Sequence, residues 1–67
     1  MDIPTIKVVI GLIEQRIEEL KEKLSKTTNI FDRMIIDAKI VEQQSTQIAL
    51  SQALIELLKF NITVKSN

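Results

Sequence analysis

The chain has 67 residues, which bounds it to one small domain. Nine basic and nine acidic side chains cancel, so no net field steers it toward nucleic acid or an anionic lipid surface. Neither Cys nor His occurs. That removes disulfides, thiol nucleophiles, imidazole bases and the zinc and haem sites built on them.

Apolar residues make up 45% of the chain, a globular share, and the aromatics are Phe31 and Phe60 alone. A chain this short buries only about 60% of its unfolded surface. Without a crosslink or a metal it needs well-formed helix packing or a partner chain. The acidic start at Asp2 and the interruption at Lys7 do not fit a secretory signal. No stretch reaches the roughly 18 apolar residues of a membrane-spanning helix. The expectation is a single cytoplasmic domain over residues 1–67, with no membrane partner.

The first element is a helix over about residues 5–26. Asp2 suits an N-cap, and Pro4 falls where a missing N–H does no harm. Ile3, Ile6, Ile10, Ile13, Ile17, Leu20 and Leu24 alternate spacings of three and four, which keeps one helical seam aliphatic. Glu14, Glu18 and Glu22 mark the opposite face, and Glu19 with Lys23 has the spacing of an i,i+4 ion pair. The β-branched run Ile6-Lys7-Val8-Val9-Ile10 also admits a strand, pairing with Asn61–Lys65 in a two-stranded clasp.

Ser25-Lys26-Thr27-Thr28-Asn29 breaks the pattern, and Asn29 suits the cap of a second helix over about residues 30–60. Met34, Val41, Ile48, Ile55 and Ile62 recur every seven residues along it. Ile36, Leu50, Leu57 and Val64 form a second line. Folding back through the break sets Leu24 near Phe31, Ile17 near Ala38 and Ile6 near Ile48, with residues beyond Ala53 overhanging. The polar run Glu42–Gln47 contains no Gly or Pro to stop the helix, although a break near Thr46 is the alternative. That run reads as an exposed face plus a polar layer that sets helix register. Ala38, Ser45, Ala49 and Ala53 nearly share one face, where small side chains permit close helix approach.

Little of this is catalytic. Glu14, Glu18 and Glu22 share a face, but the Glu-x-x-His motif of di-iron bundles needs a His. No Gly-rich phosphate loop and no nucleophile–imidazole pair can be written. Lys7, Arg16, Lys21, Lys23 and Lys26 concentrate in the first helix, but four Glu lie among them and stacking aromatics are few.

The segment Ser51-Gln52-Ala53-Leu54-Ile55-Glu56-Leu57-Leu58 resembles the Ser-Gln-x-Leu-Asp-x-Leu-Ile segment of the small sporulation phosphatases that dephosphorylate response regulators. Residues 17–24 suit the first helix of those hairpins. Ile55 stands where that family has its functional Asp, and the spacing between the two segments is longer. The resemblance covers about sixteen residues of common helical types and assigns no membership. It implies binding without phosphatase activity. In size and architecture alone the chain also resembles the small plasmid copy-number proteins, whose paired hairpins bind RNA through a basic face.

The reading is therefore all-α: an antiparallel helical hairpin that self-associates into a four-helix bundle, with no cofactor and no enzymatic activity. The expected function is a regulator or adaptor acting through helix–helix contacts with itself and with another protein. The alternatives are a nucleic-acid-binding hairpin dimer and a structural subunit of a larger assembly. The surplus apolar side chains Val8, Val9, Leu12, Leu54, Ile55, Leu57, Leu58 and Phe60 gather at the open end of the hairpin, where the oligomer interface is expected.

Overall fold

The structure, a computed structural model, describes residues 2–66. It consists of two helices, α1 (Ile3–Lys26) and α2 (Ile30–Ser66), of 24 and 37 residues, packed side by side. Both run longer than the sequence reading of 5–26 and 30–60. Residues 6–10 and 61–65 are helical, so there is no strand clasp, and α2 passes through Thr46 unbroken.

The early start of α1 has a local cause. Asp2 is extended and its carboxylate accepts the backbone N–H of Thr5 at 2.8 Å. That side-chain bond satisfies one of the four donors a helix start leaves over, and Pro4 contributes no donor at all. At the other end Thr27 closes α1, donating its backbone N–H to the Leu24 carbonyl at 3.1 Å and its hydroxyl to the Lys23 carbonyl at 2.7 Å. Asn29 opens α2, its side-chain oxygen accepting the N–H groups of Phe31 and Asp32 at 2.9 and 3.2 Å.

One contact across the turn has no counterpart in local sequence rules. The Arg33 guanidinium reaches back from the first turn of α2 and donates to the carbonyls of Leu24 and Thr27, both at 2.9 Å. The Leu24 carbonyl, which also accepts the Thr27 N–H, has a second lone pair for the guanidinium, and a cation there suits the negative end of the helix dipole. Arg33 thus ties the end of one helix to the start of the next.

All seven aliphatics of the α1 seam are buried or half-buried. Ile13, Ile17 and Leu20 pack with Ile36 and Ile40 of α2, and Val9, Leu24 and Leu50 close around them. Ile6, with 2% of its surface exposed, is the most buried of the core side chains. On α2 the inward line is Ile36, Ile40, Gln43, Gln47, Leu50, Leu54 and Leu57, whose spacings of four and three match the rhythm of α1.

This corrects the expected pairing. Phe31, Ala38 and Ile48 are exposed and do not face Leu24, Ile17 and Ile6. Gln47 donates to the Glu14 carboxylate at 3.2 Å, which sets Glu14 level with Gln47. Counting along the two antiparallel helices, Ile6 then lies level with Leu54 and Ile55, and Ile3 level with Leu58. The overhang of α2 accordingly begins near Leu58, about one turn further on than Ala53.

The result is a rod of 58 × 15 × 15 Å. Its radius of gyration is 16.2 Å, against about 11 Å for a compact chain of this length. Its accessible surface is 5237 Å², against about 4300 Å² for a compact monomer of 7.7 kDa.

Two measurements follow. Gly11 lies on the exposed side of α1, and a Cβ there meets nothing within 4 Å. Gly11→Ala should therefore stabilise the hairpin by about 0.5–1 kcal/mol, read as a higher melting temperature. The side-chain and backbone hydrogen bonds from Thr5 hold the Asp2 carboxyl below its ordinary value. A carboxylate lowered in the folded chain stabilises above its unfolded pKa, about 3.9, and ceases to do so as pH falls through the folded value. Melting followed by circular dichroism should show a loss below about pH 4 that Asp2→Asn, a neutral cap, makes smaller.

Candidate interaction surface

The charged groups are engaged locally. Glu18 lies 4.0 Å from Lys21, Glu22 3.2 Å from Lys26, and Glu14 accepts from Gln47. Glu19 pairs with Arg16 at 3.6 Å. Pairs this exposed contribute at most a few tenths of a kcal/mol to a helix. Among the described residues no group of three or more acidic side chains is placed to hold a metal ion. A shallow hollow of about 320 Å³ beside the turn is lined by Lys23, Thr27, Asp32, Ile35, Ile36 and Lys39. Its walls carry two lysines and one aspartate, with no nucleophile–base pair that chemistry would need.

The apolar surface is the larger feature. Met34, Val41, Ile48, Ile55 and Ile62, the line of sevens, lie on the side of α2 away from α1, each half or more exposed. Met34 is 62% exposed and Ile48 59%. At about 100° per residue this line lies roughly opposite the inward one, so α2 carries an aliphatic stripe on each of two faces. Between the large residues, three before each, fall Phe31, Ala38, Ser45, Gln52 and Lys59, all exposed. Large and mostly small or polar positions alternate along the outer stripe with the three-four spacing of a packing seam.

The side chains expected at the open end divide. Val8, Leu12, Ile55, Leu58 and Phe60 are exposed, whereas Val9 packs against the core and Leu54 and Leu57 are half-buried in the seam with α1. Ile55 belongs to the outer stripe. In the polar run, Gln44, Ser45 and Thr46 are exposed, whereas Gln43 and Gln47 are half-buried in the inward line. The outward direction of the line of sevens was not read from sequence. Neither face of α2 matches the unbroken seam of α1, since Gln43 and Gln47 interrupt the inward line and Ala38 and Ser45 fall between the large residues of the outer stripe.

No protein-family model, curated protein or solved structure matches the chain.

Gln47 offers a test of the polar layer. Gln47→Leu adds apolar contact between the helices at the cost of the bond to Glu14. It should raise the melting temperature by several degrees, since about 1 kcal/mol moves a domain of this size by about 4–8 °C. A drop instead would mean that the bond to Glu14 outweighs the apolar gain.

Proposed function

We propose that this protein is a non-enzymatic helical interaction module, a regulator or adaptor that works as a homo-oligomer, most simply a dimer of hairpins forming a four-helix bundle. The observation that carries the reading is the exposed apolar surface. Among the described residues twelve large aliphatic or aromatic side chains stand exposed on a rod only two helices thick. Five of them lie along one face of α2, and an apolar stripe of this kind marks an association site in soluble proteins.

The chemistry of the surface supports binding over catalysis. It consists of aliphatic side chains with amides and small hydroxyls between them, suited to helix-on-helix packing. Nothing on it supplies a proton-transfer pair or an electrophile. No helix among the described residues is long and apolar enough to cross a membrane, which leaves protein as the natural cover for the exposed stripe.

Size-exclusion chromatography with light scattering tests the reading. At roughly 50 µM, where an association of micromolar affinity is saturated, the mass should be twice 7.7 kDa or a higher multiple. Leu58→Glu, at the open end, should weaken or abolish assembly. Glu22→Lys, near the turn, should leave it intact. A monomer at that concentration would overturn the proposal.

A further inference from the structure

The homo-oligomer reading leaves open which surface the second copy occupies and in which direction it runs. We propose that it seats along the outer stripe of α2, antiparallel, about a two-fold axis that passes beside Thr46 and Gln47. This inference rests on the proposed self-association and narrows it to one face: the four helices lie in a row, the two α2 helices inside and the two α1 helices outside, in place of a bundle around one shared core.

The argument is self-complementarity. Two antiparallel helices pack so that each position of one seam line meets a position of the other line on the partner. In the outer stripe one line is large throughout and the other mostly small or polar. When paired positions add to 93, Ser45 meets Ile48 of the second copy and Ala38 meets Ile55. Gln52 meets Val41 in the same way, and the end layers set Phe31 against Ile62. That single register uses the whole stripe on both copies, and every small side chain lies under a large one. Shifting by a heptad in either direction leaves large residues at one end without a partner position.

Charge favours the same direction. In the antiparallel register the flanking acids Asp37, Glu42 and Glu56 come beside Leu58, Ala49 and Ile35 of the other copy, so no like charges meet. Lys59, 3.8 Å from Glu56 in its own helix, lays its methylene stem across Met34. A parallel pairing in register would instead set Lys59 against Lys59 and bring Asp37 beside Glu42. It would also stack large on large and small on small, leaving gaps at Ala38 and Ser45.

The area suffices. Residues 31–62 span about 48 Å of helix, and a strip of that length roughly 10 Å wide on each copy removes about 1000 Å² in all. That is the lower bound for a specific interface. The exposed side chains Val8 and Leu12 lie on α1, off this strip.

Because the chain contains no Cys, disulfide trapping reports the register directly. Ala38→Cys and Ile55→Cys are prepared separately, one with an affinity tag so that products differ in mass, and oxidised singly and mixed. The antiparallel register brings residue 38 of one copy beside residue 55 of the other. It places the two copies of residue 38 about 25 Å apart, beyond the reach of about 7 Å that a disulfide allows. The mixture should give the tagged–untagged heterodimer, in at least about tenfold excess over dimers of either variant alone. Both sites are exposed, so circular dichroism should show each variant as helical as the parent chain. Ile48→Glu should raise the dimer dissociation constant by about tenfold or more while the separated hairpins stay helical.

Disulfide dimers of either variant alone would mean parallel packing and overturn the proposal. A dimer by light scattering that gives no mixed disulfide and tolerates Ile48→Glu would place the interface elsewhere, overturning this inference and leaving the self-association standing. A parent chain that stays monomeric would remove the self-association itself.

Discussion

Two packed helices can shield only one face of each from water, and this constraint governs the rest of the structure. The seven seam aliphatics of α1 are satisfied by pairing with α2, while Val8 and Leu12, off the seam, stay exposed. The α2 helix carries aliphatics on two opposed faces and can turn only one of them inward. What it turns inward is the line of Ile36 and Ile40 toward the turn and Leu50, Leu54 and Leu57 beyond it, with Gln43 and Gln47 between them. Full burial of an isoleucine stabilises by about 1.5–3 kcal/mol, so the outward line holds several kcal/mol that a lone hairpin leaves unused. The elongated shape and the large accessible surface follow from the same limit.

Much of the first helix was legible in the sequence because its signals agree. Its seam has an unbroken three-four spacing, Asp2 stands where a cap is needed, and Thr27–Asn29 separates two periodic segments. The β-branched run at residues 6–10 is helical because Ile6 and Ile10 fall in phase with that seam, which rewards helix more than a lone strand pair would. The orientation of α2 was not legible from periodicity, since two lines of similar hydrophobicity compete for the inside. The choice depends on the angle at which the chain re-enters after the turn, and Arg33, bonded to the Leu24 and Thr27 carbonyls, takes part in holding that angle. A long-range contact from a surface arginine to helix-end carbonyls leaves no trace in spacing. Register was missed for a related reason: the Gln47–Glu14 bond joins two polar residues that composition assigns to solvent.

The tight closure at one pole and the overhang at the other give the hairpin a gradient of firmness. Near the turn two caps, Thr27 and Asn29, and a guanidinium bridge hold the helices together, and the packed cluster of Ile17, Leu20, Ile36 and Ile40 follows directly. Toward Leu58 the cover from α1 runs out, and beyond the level of Ile6, the most buried side chain, local opening frees few buried groups, as at the low-stability end of other proteins. The hairpin is therefore tied at the turn and frays most readily at the opposite pole. In the antiparallel dimer we propose, the fraying pole of each copy lies along the firm pole of the other. Each hairpin then acts as the splint for the part of its twin least able to hold its own shape.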